Sequence, residues 1–172
     1  KNIENQESSL LLNSTFENGL SGLGYVLQLL INEGVLETEY ESQIEEINEI
    51  VFNDALNLLE QNNYDFVRGP FGMLFYLNFI DSKDYVDTIL DVLINKFKED
   101  RDFSFYNEYS YIEGVHIGYA HGLCGIIKVL NEIEDERADY IIETLLYKLV
   151  KVIKKNEVYL KGEKYYLPRS IH

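Results

Sequence analysis

The stretch Gly118-Tyr119-Ala120-His121-Gly122-Leu123-Cys124-Gly125-Ile126-Ile127 puts three glycines, a histidine and the only cysteine of the chain into its first eight residues. It then runs into apolar Val129, Leu130 and Ile133. A glycine-dense turn that opens an apolar helix is a place where backbone must approach something closely. Two other segments share its form, Asn18-Gly19-Leu20-Ser21-Gly22-Leu23 and Arg68-Gly69-Pro70-Phe71-Gly72-Met73. All three read x-G-x-x-G-hydrophobic, with first glycines separated by 50 and then 53 residues. Seven of the eleven glycines, Gly19, Gly22, Gly24, Gly69, Gly72, Gly122 and Gly125, fall in or directly against the three x-G-x-x-G units, a clustering that chance placement does not produce. Self-similarity at such a period marks a repeat architecture.

The residues after each glycine turn repeat as well. Tyr25 to Ile31, Leu74 to Ile80 and Ile126 to Ile133 are apolar nearly all round, and a helix apolar on every side is buried on every side. These are the expected inner helices. A second, amphipathic helix comes after each one. Ile44, Ile47, Val51, Ala55, Leu58 and Leu59 make one stripe, opposed by Glu45, Glu46, Glu49 and Asn53. Val86, Ile89, Leu90, Leu93 and Phe97 make the next, opposed by Asp84, Asp87 and Asp91; Ala138, Ile141, Ile142, Leu145, Leu149, Val152 and Ile153 make the third. The i, i+3, i+4, i+7 spacing is the helical signature. Glu134, Asp135 and Glu136 at the start of the third helix, and Lys151, Lys154 and Lys155 at its end, complement its dipole.

One buried and one half-exposed helix per repeat predicts an all-α, two-layer array, with helix pairs near 18–62, 68–99 and 118–155 of a single domain over 1–172. Such an array closes as an α/α toroid or winds on as a superhelical solenoid; three pairs make only an incomplete ring. The glycine turns sit at the end where inner helices begin, which is where a toroid would hold its site. Two connectors depart from the helical pattern. Residues 102–117 are aromatic and can hold a short extended segment, and residues 157–167 read as a β-hairpin around Lys161-Gly162-Glu163.

Composition narrows the function. The net charge of −15 leaves nothing to neutralise a phosphate backbone, so nucleic acid is not an expected partner. The charge is uneven, about −12 over residues 1–66, −4 over 67–133 and +1 over 134–172. An acidic flank can attract a cationic peptide, or simply keep the protein soluble. A single cysteine cannot form an internal disulfide, which points to a reducing, cytoplasmic setting. No apolar run is long enough to span a bilayer, and Lys1 to Glu7 carry no signal-peptide core. The single methionine is Met73, so the sequence reads as excised or processed from something longer.

Gly19-Leu20-Ser21-Gly22-Leu23-Gly24 and, more specifically, Gly118 to Ile126 resemble the glycine repeats of the lanthionine synthetase C-like (LanC-like) cyclases, the latter in its G-x-A-H-G-x-x-G-I pattern. Gly69-Pro70-Phe71-Gly72 is a degenerate copy, with Arg68 where the histidine would stand. The resemblance covers roughly residues 18–172. It implies an α/α toroid that adds peptide cysteine thiols to dehydrated serine or threonine, forming thioether rings in a ribosomally made precursor peptide. It implies as partners that peptide, a dehydratase and an exporter. It also implies a zinc ion held by two cysteines and a histidine, which lowers the thiol pKa. The histidine of the A-H-G turn, thought to be an acid/base in that family, matches His121.

The family's zinc ligands lie in W-C-Y-G and C-H-G segments that this sequence lacks, so no zinc is expected on these residues. The period places a fourth glycine segment around 172–175, so the sequence reads as the first repeats of a longer protein, itself inactive. His121 is the one expected catalytic residue, as general acid/base; the plainer alternative is that it satisfies backbone carbonyls at a helix start. His116, His121 and Cys124 make a weak metal set, and Cys124 reads better as a small residue packed against a neighbouring helix. Asp65 and Arg68 sit beside the second glycine turn with no motif to give them a role. Tyr106, Tyr109 and Tyr111 are candidates for a peptide groove. The paired carboxylates on the helices fall on solvent stripes, which argues against the glycosidases and terpenoid cyclases that share toroid folds. Two functions stay open: a thioether cyclase, or a LanC-like helical module that binds peptides or proteins without chemistry.

Overall fold

The computed structural model describes residues 13–36, 41–99, 115–156 and 170–171. Six helices occupy them: α1 Leu20–Asn32, α2 Glu41–Glu60, α3 Pro70–Phe79, α4 Lys83–Glu99, α5 Leu123–Leu130 and α6 Glu136–Asn156. Short helices alternate with long ones. The short helices α1, α3 and α5 pack in a row, the long helices α2, α4 and α6 pack in a second row, and each short helix also packs on the long one next in the chain. The result is the two-layer all-α array that the periodicity predicts.

The core lies between the layers. Val51, Ala55 and Leu59 of α2 are fully buried, as are Leu74, Tyr76 and Leu77 of α3, Leu90 of α4, and Ile141 and Leu145 of α6. Full burial of side chains of this size stabilises by roughly 1.5–3 kcal/mol each. The apolar stripes of the long helices therefore decide where they lie, while Glu45, Glu46 and Glu49 remain in solvent. Tyr76 reaches from α3 between the first two helices. Its ring stands where a side chain on Gly24 of α1 would be, and its hydroxyl donates to Asn48 Oδ1 of α2 at 2.5 Å. Burial pushes the Tyr76 phenol well above its ordinary pKa.

The three glycine turns are built alike. Gly19, Gly69 and Gly122 each precede a short helix in extended conformation, without a side-chain cap. Three residues on, Gly22, Gly72 and Gly125 pack against the backbone carbonyls of Phe16, Phe66 and Tyr119, the residues three before each first glycine. A β-carbon on any of them would overlap that oxygen. The preceding turn crowds the same glycine from the other side: Phe16 Cβ stands 2.7 Å from a β-carbon built on Gly72, and Phe66 Cβ 3.1 Å from one on Gly125. Phe16 and Phe66 rings lie 5.8 Å apart and Phe66 and Tyr119 rings 5.4 Å apart, so the aromatics run along the row of turns. A backbone ladder binds the row. Glu17 N–H donates to the Val67 carbonyl at 2.9 Å, and Val67 N–H to the Ala120 carbonyl at 3.2 Å. Glu17, Val67 and Ala120 each stand two residues before the first glycine of their own turn.

Far from the turns, Arg137 of α6 joins the last two helix pairs. It pairs with Asp87 at 2.5 Å and Asp91 at 2.8 Å on α4, and with Asp135 at 2.6 Å. Asp135 also accepts the Arg137 backbone N–H at 2.7 Å, which caps the first turn of α6.

Two expectations need correction. The inner helices are not all buried on every side, because Leu23, Val26 and Leu29 of α1 are 37%, 49% and 37% exposed. Cys124 is exposed and does not pack against a neighbouring helix, although Ser21 and Phe71, which hold its place in the earlier turns, are buried. Of the connector 102–117, Val115–His116 forms a short strand, β1, antiparallel to β2, Ser170–Ile171. The rest of that connector through 114, with Tyr106, Tyr109 and Tyr111, and the hairpin expected over 157–167 lie outside the described residues.

Two measurements test this packing. Gly72→Ala should destabilise by about 3 kcal/mol, the upper end of the usual cost of overpacking, because the obstructing atom is backbone. Gly34 is open to solvent at φ +69, so Gly34→Ala should cost only the left-handed backbone strain of about 1–2 kcal/mol. Equal losses for the two variants in denaturant titration would contradict the crowding at Gly72. For the Arg137 cluster, hydrogen bonding from Arg137 holds the Asp135 carboxyl below its usual range. A carboxylate with a depressed folded-state pKa stabilises above its unfolded-state pKa of about 3.9 and loses that contribution as pH falls through the folded value. Arg137→Gln should therefore cost on the order of 1 kcal/mol at neutral pH and progressively less below pH about 4. A pH-independent difference in urea midpoints would show that packing, not the ion pairs, carries Arg137.

Candidate functional site

The turns gather polar side chains at one end of the array. His121 precedes Gly122 in the third turn, and Asp65 lies four residues before Gly69 in the second. His121 Nδ1 stands 2.8 Å from Asp65 Oδ2. The Asp65 side chain is fully buried, whereas that of His121 is 44% exposed. The second turn holds Asp65 tightly. Its N–H donates to Asn63 Oδ1 at 3.0 Å, its carbonyl accepts from Phe71 N–H at 3.3 Å, and its Oδ1 accepts from Arg68 N–H at 2.7 Å. Each carboxylate oxygen thus has a donor, which a buried carboxylate requires.

The pairing decides which nitrogen of His121 is free to act. An ionised carboxylate only accepts, so the proton of a neutral His121 lies on Nδ1 and the basic lone pair on Nε2. A protonated imidazole at this place keeps the same bond, now assisted by charge. The arrangement can take a proton at Nε2 and return it without moving the ring.

Arg68 extends the group to the first turn. Its Nε lies 2.5 Å from Glu17 Oε2 and its Nη2 3.4 Å from Oε1. The Arg68 guanidinium, with a smaller contribution from the charge of His121, holds the Glu17 carboxyl below its ordinary range. Both members of the pair are about half exposed, so water screens it. Arg68 and His121 occupy the same place in successive turns, and each reaches back to an acid on the turn before: Glu17 for Arg68, Asp65 for His121.

Of the residues singled out from sequence, His121 stands at the row of turns, and Asp65 and Arg68 meet it there. Asp65, to which no motif gives a role, is the buried acid of the group. The signal for it is an acid inside the apolar run Tyr64-Asp65-Phe66-Val67, which needs a partner once buried. His116 lies in β1. The exposed thiol of Cys124 is three residues past His121, but His121 Nδ1 is already taken by Asp65. Among the described residues no three His, Cys, Asp or Glu side chains converge as a metal site. The donor set here does not fit the zinc centre that the family resemblance implies. A cleft of about 390 Å3 opens at the opposite end of the helices, between α3, α4 and the α5–α6 connection, and is lined by Asn78, Asp87 and Glu134 among others. It does not include the His121 group. Among the described residues no helix is long and apolar enough to cross a membrane.

Comparison with known proteins agrees with this architecture. A solved structure titled nisin cyclase superposes with a TM-score of 0.62 over 84% of this chain and 41% of that chain, at 19% sequence identity. The chain thus spans less than half the length of that protein, and at this identity the likeness is one of fold, the α/α toroid type. No curated protein matches the sequence. The family described as "Lanthionine synthetase C-like protein" matches residues 1–170. The chain belongs to the lanthionine synthetase C-like family.

Proposed function

We propose that the row of glycine turns is the proton-transfer part of a thioether-forming cyclase acting on a dehydrated, cysteine-containing peptide, with His121 as its general acid/base and Asp65 as the group that positions it. The single observation that carries this reading is the contact between His121 Nδ1 and the buried Asp65 carboxylate, which leaves Nε2 as the working nitrogen. Family membership supplies the reaction class; the geometry supplies the proton path.

In that reaction His121 Nε2 takes the proton of the peptide thiol, and Asp65 stabilises the imidazolium that results. The thiolate adds to the β-carbon of a dehydrated residue, forming the C–S bond as the C=C electron pair moves toward the adjacent carbonyl. Nε2 then returns its proton to the α-carbon. One proton leaves sulfur and one reaches carbon, so the histidine ends as it began. Imidazole titrates near neutrality and serves both halves of the exchange. The zinc chemistry of the family activates the thiol through ligands that the described residues do not assemble, and the steps above run through His121 and Asp65 alone. The precursor peptide is the proposed partner, and a dehydratase must act before it because the acceptor alkene is a dehydration product.

In the full-length gene product, ring formation on a dehydrated peptide should fall by about 10²–10⁴-fold in His121→Asn, the typical worth of a positioned acid/base. Undiminished rate in that variant, or no thiol addition by the parent protein with peptide still bound, would sink the catalytic role; the latter result favours the binding-module reading. Asp65→Asn offers a readout that does not need turnover. In the parent protein, nitrogen NMR of neutral His121 should show the proton on Nδ1, and in Asp65→Asn the population should move toward Nε2. An unchanged tautomer would mean that Asp65 does not set the ring.

A further inference from the structure

His121 and Asp65 stand on the third and second turns, yet the hydrogen bonds that reach them begin on the first. Glu17 N–H donates to the Val67 carbonyl at 2.9 Å, and Arg68 N–H donates to Asp65 Oδ1 at 2.7 Å. The Val67 carbonyl and the Arg68 N–H belong to one peptide unit, which is planar. A bond accepted at its oxygen therefore helps to fix the direction of its N–H, and polarises that N–H as a donor. The line runs on through the carboxylate, whose Oδ2 lies 2.8 Å from His121 Nδ1. It passes from the backbone of the first turn to the imidazole of the third without a gap.

The other side of Val67 leads to the same place. Val67 N–H donates to the Ala120 carbonyl at 3.2 Å, and that carbonyl shares its peptide unit with the His121 main-chain nitrogen. The residues around Val67 thus hold His121 twice, by its side chain through Asp65 and by its main chain through Ala120. Glu17 grips both residues of the Val67–Arg68 unit from the first turn. Its N–H takes the Val67 carbonyl, and its carboxylate accepts from Arg68 Nε at 2.5 Å and Nη2 at 3.4 Å. Val67 makes the same kind of backbone bond to the third turn but has no polar side chain to add, so the double grip is particular to Glu17.

We propose that Glu17 is a positioning residue of the proton site: through the Val67–Arg68 peptide unit it aims the Arg68 N–H at Asp65, and so holds that carboxylate against His121. This deepens the acid/base reading of His121 and rests on it wherever a rate is measured, whereas the aiming rests on the contacts alone. Burial separates aim from stability here. The Asp65 side chain is fully buried, and the Arg68 N–H is one of the bonds that orient it. The Glu17–Arg68 pair is half exposed and screened by water, so it adds little to the stability of the fold. A change at Glu17 therefore disturbs the direction of the bonds beyond it and leaves the helices in place. The first turn, which places no group on His121 itself in this scheme, is still part of what makes the ring a directed base.

The test uses the full-length gene product and nitrogen NMR. In Glu17→Ala, which keeps the N–H and loses the carboxylate, the Arg68 amide proton should move upfield as its bond to Asp65 weakens. The His121 proton population should move from Nδ1 toward Nε2, by less than in Asp65→Asn. Arg68→Ala releases the same grip from the other side and keeps its own N–H, so it should shift the His121 nitrogens in the same direction. Glu17→Gln, which still accepts from Arg68, should lie nearer the parent, and helical circular dichroism should not change in any of the three. In ring formation Glu17→Ala should lower kcat by about 10–10²-fold, the reach of a small misplacement, with KM unchanged. In a His121→Asn background the same change should cost nothing further, because it acts through that ring. Parent-like His121 nitrogens in both Glu17→Ala and Arg68→Ala overturn the proposal. A raised KM at unchanged kcat overturns it too, since the pair would then be a substrate contact, and so does a further loss in the His121→Asn background. A His121→Asn protein that keeps the parent rate defeats the acid/base reading alone, and the NMR shifts then decide the role of Glu17.

Discussion

The structure depends on a close approach that only glycine permits. In each turn the carbonyl oxygen of Phe16, Phe66 or Tyr119 lies where a β-carbon of Gly22, Gly72 or Gly125 would be. That contact folds the residues before each short helix back onto its first turn. The folded-back segment is the part that meets the neighbouring turn, through aromatic rings and through the ladder from Glu17 to Val67 to Ala120. Without the second glycine the segment would swing away, and the turns would lose their common register. The long helices depend on this in turn, because α2, α4 and α6 need only present an apolar stripe to a row of short helices already placed.

A fixed register converts sequence positions into chemistry. The residue before each first glycine reaches the preceding turn, so Arg68 finds Glu17 and His121 finds Asp65. The two pairs differ in burial, and burial decides what they can do. Arg68 and Glu17 are both substantially exposed, which makes their pairing weak and replaceable by water. Asp65 is fully buried, and its carboxylate accepts from Arg68 N–H and meets His121 Nδ1 away from solvent. The same geometric step thus yields a screened surface pair in one place and a half-buried pair with an oriented imidazole in the next.

The range of each interaction decides how much of this is legible in the sequence. The glycine period and the i, i+3, i+4 stripes are written within single segments, so the all-α array and the importance of the Gly118–Gly125 turn can be read directly. His121 stands out because it sits inside such a segment. Asp65 is 56 residues away from His121 in the chain and contacts it only after two turns are stacked, a relation no local pattern contains. Cys124 defeats a local reading for a related reason. Its place is buried in the first two turns, as Ser21 and Phe71, but burial there is conferred by surroundings that the third turn does not share. The apolar face of α1 behaves in the same way, since Leu23 and Val26 carry the pattern of a covered helix whether or not a neighbour covers them.

The partial exposure of His121 has a bearing on why the histidine and its acid come from different turns. Had both stood on one turn, they would share a local backbone and move together, and the ring could rotate with its partner. Instead Asp65 is fixed by Asn63, Arg68 and Phe71 of the second turn, while His121 is carried by the third. The Val67–Ala120 backbone bond joins those two turns within a few residues of both side chains. Rotation of the imidazole away from Asp65 would break a hydrogen bond to a buried carboxylate, of a kind that contributes about 1.5–3 kcal/mol. The bond therefore favours the ring orientation with Nδ1 on Asp65, even though nearly half of the side chain is open to water. The place of the imidazole is set by the stacking of turns, and each turn is closed by its second glycine.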